Sequence, residues 1–235
     1  MIDVNQNINW HALKALNFLT SYYSSSINRT FGKVLSSVKL CRFQREWEMN
    51  KKEQILQEIA ELFYVNGYEK TSIRDISNAI NISKPGLYYH FTNKQEMLFD
   101  MIYDFMESTS KDLFNELSGL KTPEEKLLCI IKNHIESFIK HPARMRVLVY
   151  EAHSLEDDYY QRFKQKQREY IAVIREILQA IMDKHKSKLN INVVTFTLLG
   201  MLNWIIQWYE PRGAVSPDEL ADEMYTFFIN GLKNR

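Results

Sequence analysis

The chain is poor in the residues and patterns that would assign it to several large classes of protein. Of its 235 residues two are cysteine, Cys41 and Cys129, and they form neither a C-x-x-C pair nor a disulfide framework. Nothing in them points to secretion. No apolar run approaches the ~20 residues that a membrane span needs. The stretch from Leu13 to Leu19 is broken by Lys14 and Asn17 and makes a poor signal-peptide core. A cytoplasmic protein with no membrane partner is the expectation. The net charge of +1 argues against a non-specific coat for nucleic acid, but a local basic patch is enough for a specific reader. The six histidines form no H-x-x-x-H or H-E-x-x-H pair, no glycine-rich phosphate loop exists, and no serine or cysteine stands in a nucleophile motif. His141 and His153 lack the companions a metal needs, and the acidic run Glu156-Asp157-Asp158 reads as a helix start. The expectation is no metal, no cofactor and no catalysis.

Glycine (7) and proline (5) are scarce as well. β-branched and aromatic residues recur mostly at helical spacing and not in alternation, so the chain reads as all-α. Apolar residues at 45% supply a core of ordinary size.

Residues 1–48 differ from the rest. They hold Ser-rich pieces such as SYYSSSINRT, and their charges are mostly basic. From Met49 the sequence becomes regular, and MNKKEQIL resembles a bacterial protein start. Met49 is expected to be the initiator, or one of two, since Arg45-Glu46 can be encoded by a purine-rich sequence that a ribosome would bind. The other reading is a basic arm that touches DNA, as minor-groove arms do.

The most informative stretch is Thr71–Lys94, TSIRDISNAINISKPGLYYHFTNK. A first helix, about Lys51 to Asn66, precedes it and buries Ile55, Leu56, Ile59, Leu62 and Phe63 on one face. Asn66-Gly67 ends it. Ser72 is read as the N-cap of a second helix with Asp75 at N3, and Ile73, Ile76 and Ile80 as its buried side. Asn81 falls at a turn that needs positive φ. Ser83 caps a third helix with Pro85 in its first turn. There Leu87 and Phe91 point inward, and Lys84, Gly86, Tyr88, Tyr89 and His90 face outward or sideways, with one tyrosine partly turned to the core. Thr92 is read as the cap of a fourth helix. Two short helices joined by a tight turn suit a helix-turn-helix, over about residues 73–92, with one helix in the DNA major groove. Phosphate donors are expected at the helix starts Ser72, Ser83 and Thr92, where free N–H groups favour anions. Lys94 in the first turn of the fourth helix is an odd place for a cation unless an anion is near. Lys84 and the small surface at Gly86 are the candidates to approach base edges. Each residue alone fits an ordinary cap or core position; the constellation at this spacing does not.

The segment GYEKTSIRDISNAINISKPGLYYHFTNKQEML resembles the DNA-binding domain of TetR-type (TetR/AcrR) transcriptional regulators, over about Asn50–Ser110. The resemblance implies a three-helix DNA-binding domain at 50–110, a linking fourth helix, and a helical C-terminal ligand-binding and dimerisation domain at 111–235. It implies that Ser72, Ser83, Lys84, Tyr88, Tyr89, His90 and Lys94 stand at positions that commonly contact DNA. Asn81 stands where the family usually has glycine.

Further on, Thr122-Pro123-Glu124-Glu125 and Ser216-Pro217-Asp218-Glu219 repeat one capping device, and His141-Pro142 breaks a helix. The expected helices are 123–140, 143–153, 156–186, 190–209 and 217–233. GMLNWIIQWY, from Gly200 to Tyr209, is too apolar for an exposed helix. Trp204 and Trp208, with Met224, Phe227 and Phe228 of the last helix, are expected to pair two copies through four helices; monomer core is the other reading. A homodimer calls for a palindromic operator in double-stranded DNA. For a small-molecule effector, Phe105, Phe138, Val149, His153, Tyr170, Ile174, Asn203 and Gln207 mix apolar bulk with a few polar groups, and any one of them also fits a core position. LLGMLNWIIQWYEPRGAVSPDELA and ARMRVLVYEAHSL are similar to the branch of the family that senses acyl-CoA thioesters or related lipid metabolites. Arg144, Arg146, Lys164, Lys166 and Arg168 would meet CoA phosphates or line a solvated face. The expected function is a ligand-responsive repressor released by a small hydrophobic or acyl-CoA-like effector. The alternatives are a helical lipid or small-molecule carrier, an enzyme without a recognisable motif, and an activator using the same DNA-binding domain.

Overall fold

Helices account for all the regular structure among the described residues, with no β-strand. The computed structural model describes residues 51–233; the initiator and arm readings of the first 48 residues, Met49 included, lie outside them. Residues from Lys52 onward pack as a single unit. The helices are α1 (51–66), α2 (Ile73–Ala79), α3 (Lys84–His90), α4 (Lys94–Gly119), α5 (Pro123–Lys140), α6 (Pro142–Glu151), α7 (Asp157–His185), α8 (Ile191–Trp208) and α9 (Pro217–Lys233). A short 3-10 turn, Ala152–Ser154, follows α6.

Local chemistry sets these boundaries. Gly67 takes φ 81° and Asn81 φ 51°, the left-handed conformations that end a helix or turn a chain. Ser72 and Asp75 form a full capping box, as do Thr122 and Glu125. Ser216 and Glu219 exchange bonds in the same way. Pro123, Pro142 and Pro217 each open a helix, where a missing N–H costs nothing. One cap differs from expectation. Asn93, not Thr92, caps α4 by accepting from the Glu96 amide at 2.8 Å, while Thr92 bonds the Glu96 carboxylate. The expected 143–153 helix ends at Glu151 and tightens into the 3-10 turn.

Two clusters of buried side chains form the core. One unites α1, α2 and α3 with the first turns of α4, through Ile55, Ile59, Phe63, Ile76, Leu87 and Met101. The other lies among α4, α5, α7, α8 and α9, through Phe105, Ile130, Leu178, Leu202 and Phe228. α5 and α7 are its centre: α8 packs on α5, α6 and α7, and α9 packs on α5 and α7. The boundary expected at residue 110 falls inside α4. α8 is long and apolar enough by length and composition to cross a membrane, more than the sequence reading allowed, and it contributes Val194, Leu198, Leu202, Ile205 and Ile206 to the second cluster.

Asn81 carries the turn between α2 and α3 in a conformation that costs a β-branched residue about 1–2 kcal/mol. Chemical denaturation of Asn81→Val should therefore show a loss of about that size, and Asn81→Gly should show none.

Candidate nucleic-acid and effector sites

Between α2 and α3 the chain is locked by reciprocal bonds. The Ser77 hydroxyl donates to the Ile82 carbonyl at 2.6 Å, and the Ile82 amide donates to the Ser77 carbonyl at 3.1 Å. Leu87 and Phe91 are buried, which turns the rest of α3 outward. Lys84 is exposed, and Tyr88 and Tyr89 are 52% and 72% exposed. Both tyrosines therefore leave the core, where one was expected to be partly inward. His90 is half-buried and meets Tyr89 edge-on at 5.0 Å between ring centroids. Gly86 is small for an internal reason: a Cβ there would lie 2.8 Å from Ile82 Cγ2 and 3.3 Å from Ser83 Oγ. Its size lets α3 start close to the turn.

The three expected phosphate donors differ. Ser83 accepts from the Gly86 amide at 3.2 Å, which leaves its hydroxyl proton to give. Ser72 gives its proton to the Asp75 carboxylate at 2.6 Å, so its hydroxyl is spent inside the cap and an anion stands beside it. Thr92 likewise donates to Glu96 at 2.6 Å. Lys94 begins α4 and is half-buried. Its Nζ lies 4.1 Å from the Tyr68 ring centroid and donates to the Glu69 carbonyl at 3.4 Å. Burial holds its pKa below 10.5 against the pull of Glu69 and Glu151, so this ammonium gains from an approaching anion. Lys70 and Arg74, exposed on either side of Ser72, are further cations of this surface that the sequence reading passed over. The signal was present in the basic residues flanking the Thr71-Ser72 cap.

In the larger part of the molecule α4, α5, α6, α7 and α8 line a partly open cavity of about 310 Å³. Five of the eight expected effector residues line it: Phe105, Val149, His153, Tyr170 and Asn203. Three do not. Phe138 and Ile174 are packed in the second cluster, because their faces of α5 and α7 turn to neighbouring helices. Gln207 lies outside on the surface, where its amide donates to the Tyr150 hydroxyl. Of the five basic residues considered for phosphates, only Lys164 reaches the cavity wall, with its Nζ 2.6 Å from Gln167 Oε1. Arg144 pairs with Glu53 at 2.7 Å, Lys166 pairs with Glu107, Arg146 donates to the Ile206 carbonyl at 2.8 Å, and Arg168 is exposed. The wall holds polar groups the sequence reading missed, among them Ser110, Asn133, His134 and Ser137. Polar residues at positions 133, 134 and 137 of an otherwise apolar α5 face were the available signal. Burial lowers His134 to a pKa of about 4 and raises the Tyr170 hydroxyl to about 12, so both are neutral.

On the outside of α8, Val193, Phe196, Trp204 and Trp208 are 64%, 56%, 62% and 57% exposed. With Gly200 they fall at steps of three and four, on one stripe. Phe227 of α9 is 80% exposed. Met224 and Phe228, expected on the same face, instead belong to the core with 8% exposure each. They share with Leu220, Ala221 and Leu232 the side of α9 that meets α5 and α7.

Residues 55–101 match the family of bacterial regulatory proteins, tetR family, and residues 120–232 match the tetracyclin repressor-like C-terminal domain. The chain is similar to a TetR-family transcriptional regulator of known structure from Bordetella parapertussis 12822, with 33% identity and a TM-score of 0.71 over 76% of this chain and 94% of that one. It is 23% identical over 190 residues to the HTH-type transcriptional repressor KstR2 of Mycolicibacterium smegmatis, which covers 78% of this chain and 91% of the relative. The structure of AibR in complex with isovaleryl coenzyme A and operator DNA shares the fold, with 24% identity and a TM-score of 0.69 over 75% of this chain and 96% of that one.

The Ser72 hydroxyl and amide hold the Asp75 carboxyl below its ordinary 3.8. A lowered folded pKa adds stability above the unfolded value and loses it as pH falls through the folded one. Thermal melts from about pH 6 to about pH 2 should show Asp75→Asn losing less Tm on the acid side than the parent.

Proposed function

The chain belongs to the TetR family of bacterial regulatory proteins, and we propose that it is a cytoplasmic, homodimeric repressor that binds a palindromic operator and is released by a small-molecule effector. DNA reading is assigned to residues 50–110 and effector binding and dimerisation to residues 111–235, with α4 shared between them. The observation that carries this reading is the outward side of α3. Lys84, Tyr88 and Tyr89 project from a helix whose Leu87 and Phe91 anchor it to the core. In the proposed complex Lys84 approaches base edges in the major groove. Tyr88, Tyr89, His90 and the Ser83 hydroxyl meet sugar and phosphate, and Lys94 supplies a partly desolvated charge at the start of α4. Ser72 acts there through its cap, by fixing the start of α2.

The α8 stripe and Phe227 supply the dimer face. Scaled by their exposure, the aromatics together show on the order of 500 Å², the size of the largest apolar patch on a monomer, which is often functional. A two-fold pairing through this face presents two copies of α3, which matches inverted half-sites. A bound effector favours release to the extent that it binds the DNA-free arrangement more tightly than the DNA-bound one. The wall of the cavity has room and apolar surface for such a molecule, and an acyl group is among those that fit.

Mobility shift on the upstream region of its own gene is the test. Lys94→Ala should weaken binding to all sequences and flatten the salt dependence by about one unit of slope. Lys84→Ala should cost about 1–3 kcal/mol on the preferred site and relax discrimination there. Wild-type affinity in both variants overturns the assignment. Sedimentation of Trp204→Glu should give a monomer of unchanged helicity; a persisting dimer excludes the α8 face.

A further inference from the structure

His134 is a buried polar group of the cavity wall. The residue is 8% exposed, it lines the cavity from α5, and its Nε2 meets no hydrogen-bonding group among the described residues. A buried polar atom ordinarily has a partner. Nearby, Ser110 and Asn133 line the same space from α4 and α5. The wall includes one formal cation, Lys164, already 2.6 Å from Gln167, and no carboxylate. Its volume is at the small end of ligand sites.

From this we infer that the effector is a small, mostly apolar molecule bearing one uncharged oxygen function, an alcohol or a ketone, and that the imidazole of His134 binds that oxygen and so sets specificity. This deepens the effector reading above and rests on it. An alcohol answers either tautomer of the ring, because a hydroxyl both donates and accepts. A ketone oxygen answers the tautomer that carries its proton on the nitrogen facing it. Burial keeps the ring neutral, which removes the charge that would favour a carboxylate. A cationic ligand finds no counter-charge in the wall. The remaining surface, with Phe105, Met145, Leu148 and Phe163, receives the apolar body.

Calorimetry of the full chain with nonanol, methyl heptyl ketone, nonanoate and nonylammonium tests this, each probe having roughly ten non-hydrogen atoms. The alcohol and the ketone should bind, and the ammonium should bind at least about tenfold more weakly. His134→Leu should weaken the alcohol about tenfold, as loss of one buried hydrogen bond does. His134→Gln, which keeps a polar hydrogen-bonding group, should restore most of that loss. Circular dichroism melts confirm that both variants fold. Wild-type affinity for the alcohol in folded His134→Leu overturns the inference, as does no binding by either oxygen probe. Nonanoate binding that is tightest of the four, lost in Lys164→Met and unmoved by His134→Leu, overturns it in favour of an anionic effector. Mobility shift without any probe reports separately on the repressor reading. Loss of DNA binding there with probe binding intact fails the function, and the reverse fails only the effector assignment.

Discussion

The fold depends on α4 being one uninterrupted rod. It has 26 residues, a length of about 39 Å at 1.5 Å per residue, and neither glycine nor proline before Gly119. Its first turns bury Met97, Leu98, Met101 and Ile102 among α1, α2 and α3. Its later turns bury Phe105, Leu113 and Leu117 in the second cluster. Between these lie Met106, Thr109 and Ser110, on the cavity wall. A molecule in the cavity therefore presses on the same helix whose first residue, Lys94, stands beside the proposed DNA-reading surface. Packed interiors resist smooth deformation, so a displacement at Ser110 is carried along the rod instead of being absorbed locally.

A second connection runs through α6. This short helix gives Met145 and Val149 to the cavity wall and Arg144 and Arg146 to α1. Arg144 is 5% exposed, pairs with Glu53 and also reaches the Glu53 carbonyl at 3.4 Å. Arg146 lies 4.9 Å from the ring centroid of Tyr64. From α4, Asp100 pairs with Lys52 at 2.6 Å, and Asp104 is held above its ordinary pKa by burial and then by Asp100. These groups tie α1 to the cavity helices by charge and stacking, where α4 does so by apolar packing. Arg144 is buried while its partner Glu53 is 55% exposed, so loss of Glu53 leaves a buried guanidinium with one partner fewer.

The all-α fold, the capping boxes and, save one tyrosine, the outward residues of α3 were legible in the sequence because each depends on residues three or four apart. Ser72 with Asp75, Thr122 with Glu125 and Asn81 at its turn are local chemistry, and the structure keeps all three. Family membership was legible for the same reason, in a short motif with fixed spacing. The cavity was not, because its wall is assembled from five helices. Phe138 and Ile174 are apolar in the way that cavity residues are, and only the packing of α5 and α7 sends them to the core. His134 was passed over because a lone histidine on an apolar helix face looks like any other. Its meaning comes from Ser110 and Lys164, which are distant in sequence. Met224 and Phe228 parted from Phe227 for an equally simple reason: a step of one residue turns a side chain by about 100° around α9.

The coupling of cavity to DNA through α4 and α6 is the central claim, and a filled cavity tests it without knowledge of the effector. Ile171, on the α7 wall, can be replaced by tryptophan, and the affinity of Ile171→Trp read by fluorescence anisotropy on DNA that the parent protein enriches from its own genome. With fold and dimer shown intact by melting and sedimentation, the account predicts at least about a fivefold loss of affinity. Unchanged affinity in a folded variant with a filled cavity would contradict it.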